Sequence, residues 1–397
     1  MSAKSAAAMS AVIDGDDLLR EILLCLGLST LLVRAAVVSK RWLRLASDPA
    51  FLRRFRARNP PRLLGFFIYN HSPYAPRTDF VPVSADPGLA VAGSAAAESA
   101  GLRHLFDCRN GRLLLSVAEE FDGRLAVCYP LSPTRADHAL PPLPRTLPCL
   151  PGVHTKIIRA FLLPRDGDDG IVFVAFPLPA PETFPVQACV LQSGAWGEAI
   201  LATAELPAPY PIVTDLMHVH SKLYMATDKG YILRLDLATA RMSTMNLPSG
   251  IGTNFRLAYK DGSGLFLVHV KGFELGVWCN ESDGDGDGAH DWVLVDTIRL
   301  VATGDRLEEV LLLAAGDDAG FVLLGRKWSG AISFVDLRRR EEEKVDRKML
   351  MFFGRANFFP FTTVWPPVFP AVDEEDDRLC LLPRFCKHTI PCITKSF

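Results

Sequence analysis

Between residues 112 and 336 the chain returns five times to one pattern: an apolar run, a short turn containing glycine, and a second apolar run. Segments 112–116 and 124–129 turn through Asp122-Gly123, and 186–191 leads through Ser193-Gly194 to Trp196. Segments 222–226 and 231–236 flank Asp228-Lys229-Gly230, 265–270 and 274–279 flank Lys271-Gly272, and 321–324 and 331–336 flank Ser329-Gly330. Short strands punctuated by glycine turns restrict this region to a β-sandwich, barrel or propeller. Spacing chooses among them. The module centres lie roughly 45 to 60 residues apart, longer than a sandwich strand interval and close to a propeller blade. The segments "YILRLDL" and "AISFVDL" end in Asp236-Leu237 and Asp336-Leu337, 100 residues apart, which fits two blades of about 50 residues each. Strand-like pieces at 63–69 and 356–364 bring the expected total to six or seven degenerate blades over residues 59–397. Neither a WD-dipeptide series nor a kelch double-glycine series is visible.

The residues before Asn59-Pro60-Pro61 follow a different period. Leu18, Leu19, Ile22, Leu23 and Leu26 form one stripe of an amphipathic helix. Asp14, Asp16 and Asp17 suit its positive N-terminal end, and Gly27 is a natural stop. Ser29 can cap a second helix carrying Leu31, Leu32, Ala35 and Val38. A third segment brings Trp42 and Leu45, and Asp48-Pro49 offers an N-cap with proline in the first helical position before Phe51, Leu52 and Phe55. The expectation is an α+β multidomain chain: a disordered tail over 1–13, a small three-helix domain over 14–58, and an all-β propeller over 59–397. A helical core that small commonly relies on a partner for part of its stability.

Composition excludes several function classes. Lys plus Arg is 43 and Asp plus Glu is 45, a formal charge of -2, which argues against a nucleic-acid or anionic-membrane footprint. The most apolar early run, 22–33, is interrupted by Gly27, Ser29 and Thr30 and falls short of the roughly 20 residues a membrane span needs. No secretory h-region precedes it. Nine cysteines at irregular spacing fit reduced thiols in an intracellular compartment, cytoplasmic or nuclear.

Local chemical motifs are weak. Asp283, Asp285, Asp287 and Gly288 imitate the start of a calcium loop, but Leu294 stands where a bidentate glutamate is required and His290 where an apolar residue belongs. Cys380, Cys386, His388 and Cys392 lack the short Cys-x-x-Cys knuckle of a zinc site. His218 and His220 would share a strand face with no third ligand evident. The blocks 338–344 and 373–377 read as solvated loops, and Arg53, Arg54, Arg56, Arg58 and Arg62 as a basic rim. No nucleophile elbow, zincin, phosphate-loop or dinucleotide fingerprint is present. The expectation is therefore a non-enzyme with no metal and no cofactor.

The N-terminal segment is more specific. "DDLLREILLCLGLSTLLVRAAVVSKRWLRLASDPAFLRRF", residues 16–55, resembles the F-box in its order of features: an acidic start, Leu-Leu-x-Glu-Ile-Leu, a second apolar helix, Ser-Lys-Arg-Trp, then Ser-Asp-Pro-x-Phe. The following "RNPPRLLGFF" and "DCRNGRLLL" are similar to the F-box-associated propeller regions of plant, particularly grass, proteins. Asp14-Gly15 replaces the Leu-Pro that usually opens the first helix, and the proline that usually ends it is missing near Gly27-Leu28. The resemblance implies docking on a Skp-type adaptor, and through it a cullin-RING ubiquitin ligase, with Leu18, Leu19, Ile22, Leu23, Leu26, Leu31, Leu32, Val38 and Trp42 as adaptor contacts. It also implies a propeller that binds an unidentified target protein. The alternative is a propeller scaffold or small-ligand-binding protein that uses the F-box in complexes without ubiquitin.

Overall fold

In the computed structural model, the structure describes residues 16–27, 29–59, 63–70, 77–83, 87–119, 121–131, 136–144, 156–163, 170–177, 183–206, 211–260, 264–280, 292–301, 308–316, 320–348, 356–365, 367 and 369. The tail 1–13, Asp14, the 283–288 loop with His290, the 373–377 block and the Cys380, Cys386, His388, Cys392 group lie outside them. The chain divides into two compact units: one holds the N-terminal helices and the described residues after Thr362, the other is Leu63–Thr362.

The helical unit contains four short helices where the periodicity suggests three: α1 (Asp16–Leu24), α2 (Ser29–Ala36), α3 (Lys40–Ala46) and α4 (Pro49–Arg58). Each of the last two has its own N-cap. Ser39 Oγ accepts from the Trp42 amide at 3.2 Å, and Asp48 Oδ1 accepts from the Phe51 amide at 2.8 Å with Pro49 opening the helix. Each cap satisfies an orphan donor and contributes about 1 kcal/mol. Ser29, expected as a cap, is the first residue of α2. Leu19, Leu23, Leu24, Leu32, Ala36, Leu45, Ala46, Phe51 and Phe55 form the core. Trp365 and Phe369 pack against it, and the Trp365 ring stacks on Phe55 with centroids 6.0 Å apart. These two aromatic residues, expected within the propeller stretch, thus belong to the helical unit.

The second unit is a six-bladed propeller. Blade 1 joins Leu63–Asn70, Arg77–Pro82 and Ala356–Thr362. Blade 2 is Leu105–Arg109, Arg112–Ser116, Leu125–Cys128 and His138–Ala139. Blade 3 is Lys156–Leu162, Ile171–Pro177 and Thr183–Gln192, with the short Ala195–Trp196 and Ile200–Glu205 both pairing with the last. Blade 4 is Val213–Val219, Lys222–Thr227, Tyr231–Asp236 and Arg241–Asn246. Blade 5 is Phe255–Lys260, Gly264–Lys271, Glu274–Asn280 and Trp292–Arg299. Blade 6 is Val310–Ala315, Phe321–Arg326, Ala331–Asp336 and Glu341–Lys348. All described pairings are antiparallel, and every blade but the first has four or five described strands.

Six blades rather than seven follow from one pairing. The strand-like pieces at the two ends of the β region share a sheet, in register from Leu63↔Thr362 to Asn70↔Ala356. The last strand supplies the innermost position of blade 1, next to the first strands of blades 2 and 6, so the ring is closed by hydrogen bonds between its ends. Phe361 is fully buried there, with its ring 5.3 Å from that of Phe67 and edge-on. A helix not anticipated from the apolar pattern, α5 (Pro87–Ala100), leaves blade 1 and packs on Arg77–Pro82. Gly93 allows the approach, because a Cβ there would overlap the Phe80 ring.

Turn chemistry explains the repeated modules. Asn110 (φ 51°) and Gly111 (φ 71°) form the two-residue loop of the first hairpin in blade 2, the Asn-Gly turn whose twist matches its strands. Asp236 Oδ1 accepts from the Ala238 and Thr239 amides at 2.8 and 3.0 Å, and Asp336 Oδ1 from the Arg338 and Arg339 amides at 2.9 and 3.0 Å. The two look-alike segments therefore end equivalent strands of blades 4 and 6 in the same side-chain-capped turn.

Candidate functional site

The helical unit sorts its apolar residues into two populations. On α1, Leu19 and Leu23 have no exposed surface, whereas Leu18 and Ile22, one turn apart, remain 43% and 40% exposed. On α2, Leu32 is buried and the adjacent Leu31 is 38% exposed; Val38, beyond the helix, is 62% exposed. Leu26 and Trp42 are half-buried against the core. The nine residues expected to contact an adaptor thus divide into Leu19, Leu23 and Leu32, which fill the unit's own core, Leu18, Ile22, Leu31 and Val38, which face outward, and two that bridge. Outward leucine, isoleucine and valine on one small helical unit are the kind of surface that marks an interaction site.

Ion pairs hold the helices that present this surface. Arg41 Nη2 lies 2.6 Å from Asp16 Oδ1 and joins α3 to the start of α1; Arg54 Nη2 lies 2.7 Å from Glu21 Oε1 and joins α4 to its middle. Asn59 Nδ2 donates to the Leu24 carbonyl at 3.0 Å, satisfying a C-terminal group of α1. These pairs are solvated and individually worth under about 1 kcal/mol; their effect is orientation. Arg53, Arg56 and Arg58 stay exposed as a basic rim, while Arg54, expected with them, is in the Glu21 pair.

In the propeller, polar side chains of the innermost strands latch consecutive blades. Asp107 Oδ2 accepts from the Leu162 amide at 2.8 Å (blade 2 to 3), and Asp215 Oδ2 accepts from the Leu257 amide at 3.0 Å (blade 4 to 5). Asn254 Oδ1 accepts from the Leu312 amide at 2.8 Å (blade 5 to 6). Bulges at Leu105/Asp107 and Val213/Asp215 aim the two aspartates. Burial raises the Asp215 carboxyl above the usual range, while Arg256, the Leu257 and Leu216 amides and Arg159 oppose that shift. Asp107 and Asp215 stand within their inner strands, whereas Asn254 immediately precedes its own.

The two histidines do not share a strand face. His218 is a buried strand residue, whereas His220 lies past the strand end in the turn, with φ 52°, its ring edge-on to Tyr259. Burial, followed by the Arg109 and His220 charges, pushes the His218 imidazole down to about 4. Among the described residues no group of three or more His, Cys, Asp or Glu is placed to hold a metal ion. The five described cysteines form no disulfide, and burial, with Asp137, pushes Cys128 up to about 12, far from a reactive thiolate. The 338–344 block is not uniformly solvated. Glu342 is half-buried, bonded to Arg326 at 2.8 Å, Ser333 Oγ at 2.8 Å and the Val301 amide at 2.9 Å; Arg340 pairs with Asp296 at 2.8 Å. No helix among the described residues is long and apolar enough to cross a membrane.

Comparison with known proteins gives this architecture a class: an F-box followed by a β-propeller. The F-box domain model matches residues 16–54, and the model described as F-box protein AT5G49610-like, beta-propeller matches residues 104–369. The second match spans more than half of the chain, and the protein belongs to that plant-type family. No curated protein matches the chain. Among solved structures, the β-propeller domain of Cps50 (Swd1) from Myceliophteria thermophila is similar at 12% identity over 62% of this chain and 85% of its own, with a TM-score of 0.37. A Lactobacillus plantarum protein is similar at 10% identity over 72% and 82%, TM-score 0.38. A chain of a nidogen/laminin complex is similar at 8% identity over 75% and 97%, TM-score 0.41.

Proposed function

We propose that this protein is the substrate-recognition subunit of an SCF-type ubiquitin ligase, its F-box docked on a Skp-type adaptor and its propeller holding a target protein. The observation that carries the reading is the division within the F-box: Leu18, Ile22, Leu31 and Val38 point outward from helices whose own core is already filled by Leu19, Leu23 and Leu32. An amphipathic helix with a second apolar column suits a helix-in-groove partner. The buried leucines hold the helices in place, and the outward residues make the contact. Such a receptor contributes no reactive group; it raises the effective concentration of a target lysine near a charged ubiquitin-conjugating enzyme. Its place of work is inside the cell, in the cytoplasm or nucleus.

Co-purification with a Skp-type adaptor and a cullin tests the reading. The native chain is expected to co-elute with both. Leu18→Asp combined with Ile22→Asp is expected to abolish co-elution while leaving the helical circular dichroism intact, since both side chains are partly exposed and lie outside the helical core. A folded native chain that never retains the adaptor would remove the reading.

A further inference from the structure

We propose that the cleft between α5 and the outer strand of blade 1 binds a short extended peptide carrying a lysine or arginine. The inference rests on reading the propeller as the partner-binding half and adds the chemistry of what it takes. The cleft is an open groove of about 500 Å³, lined on one side by four consecutive strand residues, Arg77 to Phe80, and on the other by α5 and the turn after it. Ser94, Ala97 and Glu98 lie at three- and four-residue intervals on one face of α5, and Gly101 and Leu102 belong to the turn that follows. A volume of that size exceeds a water or an ion and falls in the range of ligand sites.

Three features select a cationic side chain. Thr78 is 3% exposed, and its Oγ1 meets no hydrogen-bonding partner; it lies on the α5 side of the strand with Phe80, whose ring meets Gly93. A buried hydroxyl left unpaired is costly and is satisfied by an entering donor. Glu98 has no ion-pair partner among the described residues, while Arg77 Nε already lies 3.0 Å from Asp79 Oδ1; the cleft is left with one uncompensated carboxylate. It also opens at the C-terminal end of α5, where the helix dipole favours positive charge. Arg103, in the turn after α5, is used by Asp137 at 3.3 Å and the Ser99 and Ala100 carbonyls. Phe80, Ala97 and Leu102 supply apolar wall for the aliphatic stem.

The form of the ligand follows from the blade. Among the described residues, blade 1 has three strands where the others have four or five, and Arg77–Pro82 is its outer edge. The Thr78 amide already donates to the Gly101 carbonyl at 3.4 Å, so an extended segment lying alongside pairs with the part of this edge beyond Thr78.

The test is fluorescence anisotropy of the full chain with an array of labelled, end-blocked hexapeptides of serine and valine. One set carries lysine or arginine at each position in turn; the other carries norleucine or glutamate instead. Basic members are expected to bind, and norleucine or glutamate members to bind at least about tenfold more weakly. Glu98→Lys, an exposed change, is expected to weaken the basic members roughly tenfold, and Thr78→Val, nearly isosteric, several-fold without lowering the thermal midpoint. Equal binding of lysine and norleucine peptides, no binding by any member, or insensitivity to Glu98→Lys would each overturn the proposal. So would Nα-acetyl-lysine methylamide binding as tightly as the best peptide. Adaptor co-elution is read on the same preparations: peptide binding without adaptor leaves this site standing and removes the ligase reading, and the reverse removes only this site.

Discussion

Single residues carry more of this fold's specificity than the apolar pattern suggests. Ser39 opens α3 and Asp48 opens α4, each by accepting a single backbone hydrogen bond. Both signals are local, which is why Asp48-Pro49 could be read directly from the sequence. Glu342 shows the opposite. Within a run of charged residues no local signal marks which one turns inward to Arg326 and Ser333, because the partners lie on other strands. His218 has a measurable consequence. Its folded pKa of about 4 lies below the ordinary 6.5, so the unfolded chain takes up the proton first as pH falls. Stability from this group is present above pH 6.5 and is lost progressively toward pH 4, on the order of 3 kcal/mol in full. Denaturant midpoints at pH 7 and pH 5 are expected to differ less in His218→Gln than in the native protein; equal differences would contradict buried neutrality.

At the scale of elements, hairpins were legible and closures were not. The five strand-turn-strand modules correspond to observed antiparallel pairs because Gly-containing turns announce them. Helix α5 escaped notice because its alanine, glycine and serine residues form no apolar stripe; its helicity comes from alanine propensity and its docking from small size. On α1 the apolar residues read as one stripe, and periodicity alone cannot say that Leu19 and Leu23 face the core while Leu18 and Ile22 face outward. The strand pieces at 63–69 and 356–364 left the count open at six or seven blades, since nothing local records a pairing between the two ends of the β region. That pairing makes the last strand a structural clasp. Truncating its buried ring with Phe361→Ala is expected to cost about 3–5 kcal/mol. Val295→Ala, on an exposed outer strand, is expected to change stability by under about 0.5 kcal/mol. Comparable losses at the two positions in thermal or urea unfolding would deny the clasp its role.

The whole molecule combines an F-box with a closed propeller, and the two units have different relations to solvent. The propeller buries its apolar residues between blades in successive clusters, with polar latches between several pairs of inner strands. The F-box leaves leucine, isoleucine and valine outside a core that is otherwise complete. A calorimetric titration of a purified Skp-type adaptor into the native chain, and into Leu18→Ala, Ile22→Ala, Leu31→Ala and Val38→Ala, tests that division most directly. Burial of these side chains predicts a negative heat-capacity change on binding. It also predicts that the alanine changes together weaken affinity by about a hundredfold or more, with unfolding midpoints unchanged. Undiminished affinity in all four variants, or no heat of binding to a folded native chain, would contradict it.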